Sequence, residues 1–360
     1  MIHEIYIKRC LQIAKNGIGT TRPNPSVGAV IVHQNKIIGE GFTSNYGQNH
    51  AEVNAVNSVK NKALLKESTI YVTLEPCSHF GKTPPCADLL VKYQFKNVVI
   101  GTVDSNSLVA GKGIERLKNA GINVIVGVLE AECKEHHKRF FTVQDKKRPY
   151  IILKWAETNN GFIAPLTKNE QAPVWISNNL SQQLVHKLRS KEHAILVGTN
   201  TVIADNPSLN VRSWFGKNPI RIVLDKSLRI PKEATVFDGS VKTIVIADTT
   251  SLRQEKRSFG FNNSHELKNT QELIYETINF SKNVANQIVD VLQKHQIQSI
   301  IIEGGSQTLQ TFIDANLWDE ATIFIGETSF KDGIKAPVFS AKRTSETKIK
   351  NDILKIYTND

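Results

Sequence analysis

Early in the chain, "HAEVNAV" at 50–56 sets His50 two positions before Glu52, and "TLEPCSHFGKTPPC" at 73–86 carries Cys77 and Cys86, each preceded by proline. Imidazole nitrogen and thiolate sulfur are the usual zinc ligands, and a catalytic zinc takes three of them while a fourth position stays open to water. His50, Cys77 and Cys86 make such a set. Pro84 and Pro85 suit the first turn of a helix beginning near Cys86, and a helix start favours the thiolate form of a cysteine. Two positions along a helix lie about 200° apart around its axis, so Glu52 reads as a proton shuttle beside the metal, not as a fellow ligand of His50. H-x-E followed by Pro-Cys and a second Cys is the zinc-deaminase signature, although that signature has two residues between its cysteines and this chain has eight. Two blander readings stay open: buried cysteines without metal, or a structural zinc closed by a fourth ligand such as Cys10, Cys133 or His79.

Such a set needs a scaffold. With 360 residues, 40% hydrophobic and 22% charged, the chain has the composition of a globular protein of two domains. No apolar run reaches the roughly 20 residues that span a bilayer, and the amphipathic "MIHEIYIKRCLQIAKNG" start lacks a signal-peptide pattern, so no membrane partner and a cytoplasmic location are expected. The net charge of +11 is spread along the chain without a dense basic run, which points to a phosphorylated small substrate or a merely solvated lysine-rich surface and away from nucleic acid.

The apolar periodicity predicts a hairpin from strands 27–32 and 36–42, a helix from Ala51, a buried strand 69–74 and a short helix from Cys86. Strand 97–103, a helix about Ile114–Ala120 and strand 122–128 follow, giving the alternation of a three-layer α/β domain. A charged helix, "EAECKEHHKRFF", leads into the polar stretch 144–149, read as a linker, so the domains are taken as 1–145 and 146–360. The second domain shows strands at "YIILKWA", 194–198, 220–224, 242–247, 299–305 and 320–326, with 251–270 as a loop. Its "IIIEGGSQTL" puts a glycine pair between a strand and a helix, able to present backbone N–H groups to an anion.

Taken together, "RPNPSVGAVIV", "HAEVNA" and the long cysteine loop resemble the bifunctional riboflavin-biosynthesis deaminase–reductases. "KWAETNNGFIA", "LVGTNTVIADNPSLNVR" and "IIIEGGSQTL" extend the resemblance over nearly the whole chain. It implies a cytidine-deaminase-like domain followed by a dihydrofolate-reductase-like domain, with Zn2+ and NADPH as cofactors. Zinc ligands at His50, Cys77 and Cys86 and a proton-carrying Glu52 follow from it as well. By the same resemblance Asn24 and Lys82 contact the first substrate, and Lys154, Arg189, Leu209, Arg212 and Glu303 the second. Ala156, Trp175, Thr201, Asp205 and the turn Gly305, Ser306, Gln307, Thr308, Leu309 contact the dinucleotide. The arginines suit a phosphate through paired hydrogen bonds.

Four positions depart from the family pattern. Thr43 and Asn54 stand where histidines are common, Asn160 lies in an unusual "TNNG" turn, and Pro173 replaces an expected serine. The expected partners are a phosphorylated pyrimidine and a second copy of the chain. The competing expectations are a transfer-RNA or nucleoside deaminase with an unrelated C-terminal domain, and a non-enzymatic zinc-organised binding protein.

Overall fold

The structure, a computed structural model, describes residues 2–81, 84–106, 109–251 and 272–359. The 251–270 loop expectation falls almost wholly outside these residues. The chain divides into two compact units, Met1–Lys147 and Arg148–Asp360. Residues 144–146, read as linker, close a helix instead, because Phe140 and Thr142 of that helix are buried in the first unit.

The first unit runs α1 (Ile2–Ala14), β1 (Gly28–His33), β2 (Lys36–Phe42), α2 (Ala51–Ser58), β3 (Thr69–Leu74), α3 (Cys86–Lys92), β4 (Asn97–Thr102), α4 (Lys112–Asn119), β5 (Asn123–Val126), α5 (Glu130–His136) and α6 (Lys138–Lys146). Its sheet has the order β2-β1-β3-β4-β5. The hairpin and the β1–β3 pair are antiparallel, and β3, β4 and β5 run parallel. Alternation along the strands sorts side chains to two faces. Ala29, Ile31, Ile70, Val72, Val98 and Ile100 pack with Ala51, Ala55, Ala87, Leu90 and Leu117 of α2, α3 and α4. Val30, Val32, Tyr71 and Val99 pack with Tyr6, Ile7 and Cys10 of α1 and Cys133 of α5. Two helical layers thus enclose one sheet.

The second unit contains β6 (Tyr150–Glu157), β7 (Phe162–Ala164), α7 (Asn179–Lys191), β8 (Ala194–Gly198), α8 (Thr199–Asp205), β9 (Ile220–Leu224), β10 (Thr243–Asp248), β11 (Leu273–Ile278), α9 (Val284–Lys294), β12 (Ser299–Ile302), α10 (Ser306–Asp314), β13 (Glu320–Ile325), β14 (Ile334–Lys335), β15 (Lys342–Ile349) and β16 (Asp352–Thr358). Its main sheet has the order β11-β10-β9-β8-β12-β6-β13-β16-β15. The strands from β11 to β13 are parallel, and β16 and β15 close the far edge antiparallel. Near-continuous apolar runs such as "AILV" and "SIII" mark central strands buried on both faces. Strands β11, β15 and β16 were not legible in sequence: β15 is exposed along nearly its whole length, so no apolar alternation betrays it.

Candidate metal centre and charged cluster

In the first unit three side chains converge. His50 is the extended residue capping α2, Cys77 lies in the loop after β3, and Cys86 is the first residue of α3. One ligand atom from each lies within 4.8 Å of the other two. His50 Nδ1 is 3.5 Å from Cys77 Sγ and 3.3 Å from Cys86 Sγ. Among the described residues this is the only cluster of three or more histidine, cysteine or carboxylate side chains so placed, and its donor chemistry, one imidazole and two sulfurs, is that of a zinc site with an open position.

The three ligand groups share protons, and a metal would have to displace those on Cys86 and His50 while finding Cys77 already disposed to be a thiolate. The Cys77 thiol is held low, chiefly by a hydrogen bond from Cys86, while the same shared proton and burial push Cys86 up. Cys77 Sγ also accepts the backbone N–H of Cys86 at 3.3 Å, so the first N–H of α3 supports the thiolate although Cys77 itself is not in a helix. His50 is raised, first by its hydrogen bond with Cys77.

Glu52, in the first turn of α2, is only 4% exposed. Burial raises its pKa, the negative Cys77 raises it further, and its carboxyl group is hydrogen-bonded to Cys86. The expected helical separation from His50 does not apply, because His50 precedes the helix with φ −75 and ψ 167. Both side chains therefore reach one place. Cys10 and Cys133 pack on the other face of the sheet, Cys10 donating to Tyr71 O, and His79 is exposed. Neither cysteine closes the trio.

The other first-unit expectations divide. Asn24 sits in a turn closed by its N–H to Thr21 O at 3.0 Å. Lys82 lies outside the described residues. Thr43 Oγ1 accepts the Val27 N–H, and Asn54 Nδ2 donates to Phe42 O and Ser44 Oγ, so both departures tie the segment before His50 to its surroundings. Sequence reasoning missed Glu75, whose buried carboxylate accepts four backbone N–H groups. A carboxylate abutting an apolar strand and a Pro-Cys step was its available signal.

In the second unit, Glu303 follows β12 and is gripped by two cations. Lys154 Nζ of β6 lies 2.8 Å from its Oε1, and Arg189 of α7 meets both oxygens, with Nη2–Oε2 at 2.8 Å. Burial pushes Glu303 up, but Arg189 and Lys154 outweigh it and hold the carboxyl at about 2. Arg189 Nη1 also donates to Asn210 O at 3.3 Å, and Arg212 Nη1 to Asn210 Oδ1 at 3.3 Å. Arg212 does not bond the carboxylate but feels both its attraction and the repulsion of Arg189. Leu209 has φ 50 and a side chain only 2% exposed, committed to the core with Val197 and Val236. His186 was missed by sequence reasoning. It lies one turn before Arg189 on α7, with Nδ1 3.1 Å from Asn210 O.

The glycine turn is close-packed. Gly305 has φ +61 and caps α10, and a Cβ on Gly304 would lie 3.0 Å from Thr201 Oγ1, one on Gly198 2.7 Å from Thr308 Oγ1. Thr201, Gly305 and Thr308 therefore share one place. Ser306, Gln307 and Leu309 continue into α10, with Leu309 buried. Ala156 is the penultimate residue of β6, Trp175 is exposed, and Asp205, the last residue of α8, is paired with Lys168. Asn160 bonds Thr158 and Phe330, which accounts for the "TNNG" turn as a local structure.

Comparison with known proteins meets this geometry. A family described as cytidine and deoxycytidylate deaminase zinc-binding region matches residues 1–102, and the RibD C-terminal domain matches 149–330. The riboflavin biosynthesis protein RibD of Aquifex aeolicus is 41% identical over 93% of this chain and 90% of its own length. This chain belongs to the RibD family. The Escherichia coli RibD is 34% identical over 90% of this chain and 88% of its own. A Thermotoga maritima structure titled as a diaminohydroxyphosphoribosylaminopyrimidine deaminase and 5-amino-6-(5-phosphoribosylamino)uracil reductase superposes with a TM-score of 0.85 at 34% identity, covering 99% of this chain and 98% of that one. As in RibD proteins, the first unit has the cytidine-deaminase-like fold and the second the dihydrofolate-reductase-like fold. The match across 149–330 removes the expectation of an unrelated C-terminal domain.

Proposed function

We propose that this chain carries out two successive steps of riboflavin biosynthesis on one phosphorylated pyrimidine. The first unit hydrolytically deaminates 2,5-diamino-6-(5-phosphoribosylamino)pyrimidin-4-one, and the second reduces the ribosyl group of the product to ribityl. The convergence of His50, Cys77 and Cys86 beside a buried Glu52 carries the reading.

His50, Cys77 and Cys86 would hold zinc, which when bound would supply Lewis-acid activation of water near neutral pH. Glu52, its pKa raised by burial and by Cys77, takes the proton of the attacking water and delivers it to the departing amine nitrogen. Water and the ring amine are consumed; a ring carbonyl forms and ammonia leaves. Asn24 and Lys82 orient the substrate, Lys82 as a point charge for its phosphate.

In the second unit Arg189 and Arg212 take the phosphate, and Lys154 and Glu303 hold the sugar end beside them. The turn from Gly305 to Leu309, with Ala156, Trp175, Thr201 and Asp205, binds NADPH. NADPH held there would supply the hydride for reduction at C1′ of the ring-opened imine, whose nitrogen would gain a proton to give the amine, with NADP+ as the oxidised product. Assembly with a second copy, a cytoplasmic location and indifference to nucleic acid belong to the same reading.

Purified protein supplied with the diaminopyrimidinone should release ammonia, and should oxidise NADPH only after that release or when given the deaminated compound. Glu52→Gln should stop the first reaction alone. Undiminished ammonia release by that variant would refute the role of Glu52, and no NADPH oxidation with deaminated substrate would refute the assignment of the second unit.

A further inference from the structure

We propose that Glu75 is a positioning residue for the metal set, fixing Cys77 by clamping the start of α4 to the strand end from which Cys77 hangs. The inference rests on the zinc reading of the trio. Glu75 is 4% exposed and immediately follows β3. Its Oε1 accepts the N–H groups of Gly113 at 2.9 Å and Ile114 at 3.2 Å, and Oε2 those of Gly111 at 3.0 Å and Asp104 at 3.2 Å. Gly113 and Ile114 are the second and third residues of α4, whose N–H groups have no partner inside the helix. One carboxylate from a distant strand therefore satisfies them, as a capping side chain would.

The clamp has a second jaw. A Cβ on Gly113 would stand 2.2 Å from Pro76 O, so only glycine lets α4 approach the residue between Glu75 and Cys77 so closely. On its other side Cys77 is held by α3: its carbonyl accepts Ala87 N–H at 3.1 Å and its sulfur accepts Cys86 N–H at 3.3 Å. Cys77 is thus pinned between two helix starts, one gripping it directly and one through Glu75 and Pro76. Metal–ligand distances tolerate only about 0.2 Å, so a loosened Pro76–Cys77 step shows as weaker metal binding without any lost ligand.

Zinc dissociation constants, measured by chelator competition on the full chain, test this. Glu75→Gln keeps the shape, but its amide nitrogen would face N–H groups whichever way it is turned, so half the bonds fail. Zinc affinity should fall about 10- to 100-fold. Val99→Ala, a core truncation on the opposite face of the sheet, serves as a control for mere loss of stability and should leave affinity within about twofold of wild type. Unchanged affinity in Glu75→Gln, or an equal loss in Val99→Ala, overturns the inference. If Glu75→Gln does not fold, Gly113→Ala decides: weakened zinc binding supports the clamp, and wild-type affinity overturns it. A wild-type chain that binds no zinc overturns the metal reading and this inference with it, whereas tight wild-type binding with an indifferent variant overturns this inference alone.

Discussion

In the first unit the reacting groups crowd one point: three ligand atoms within 4.8 Å and a buried carboxyl group bonded to one of them. In the second unit the polar groups are drawn from β6, α7, the loop at 209–212 and the end of β12, and the glycine turn meets α8 and β8 beside them. The contrast follows from the chemistry. A metal demands specific atoms at fixed distances, so a few side chains must be placed with little freedom. A phosphorylated sugar and a dinucleotide are held by many partial contacts, several of them to backbone, and no single residue is decisive.

That contrast predicts a steep effect in one unit and shallow effects in the other. The largest should come from Glu52→Gln. Removing a proton carrier costs about 10²- to 10⁴-fold, so ammonia release should fall about 10³-fold. NADPH oxidation with the deaminated substrate should stay within about twofold. A fall in both rates would mean that the units are not chemically independent.

Next in size is the response of the second unit to acid. His186 is pushed down to about 4, first by burial and then by Arg189 and Arg212. Glu303 is at about 2 against an ordinary 4.5, Arg189 and Lys154 overcoming the upward push of burial. Both folded values lie below the unfolded ones. His186 therefore contributes stability that is present above about pH 6.5 and lost as pH falls through 4, and Glu303 contributes stability present above about pH 4.5 and lost towards pH 2. Chemical denaturation at a series of pH values should show the loss, and His186→Gln should flatten the part between pH 6.5 and 4. A variant as acid-sensitive as wild type in that window would remove His186 as its source.

The unequal legibility of the two sites has the same origin as the unequal effects. His50, Cys77, Cys86 and Glu52 stand out because cysteine and histidine at such spacing have few other uses, and the structure brings them together. The glycine pair after β12 was readable as a strand–turn–helix, but the partners of its backbone, Thr201 and Thr308, could be named only through the family resemblance. Glu75 and His186 act on backbone groups far away in sequence, and no local pattern announces such a partner. The fold follows the same rule. Strands buried on both faces declared themselves as apolar runs, whereas the exposed β15 and the edge strand β11 did not. The charged helix predicted after β5 is two helices, α5 and α6, broken at His137, which has φ −93 and ψ 9.

A milder test of the distributed site is Arg189→Lys. The charge stays, but the paired hydrogen bonds to Glu303 and the bond to Asn210 O are lost. KM for the deaminated substrate should rise about 10-fold, equivalent to about 1.4 kcal/mol, with zinc content and ammonia release unchanged. A loss as large as that of Glu52→Gln would show that the second unit concentrates its chemistry as the first does.

The smallest expected effect separates geometry from burial. Arg9 on α1 meets both oxygens of Glu40 on β2, Nε–Oε1 at 2.6 Å and Nη2–Oε2 at 2.9 Å, a geometry as good as that of Arg189 on Glu303. Its side chains, however, are 42% and 30% exposed, against 11% for each member of the second-unit pair. Water competes for exposed ions and salt screens them, so Arg9→Ala should cost less than about 1 kcal/mol in urea unfolding and less still at high salt. It should leave both activities untouched. A cost of several kcal/mol, insensitive to salt, would mean that hydrogen-bond geometry and not burial ranks the ion pairs of this protein, and the weight given to the Lys154–Glu303–Arg189 cluster would then have to be shared with its surface pairs.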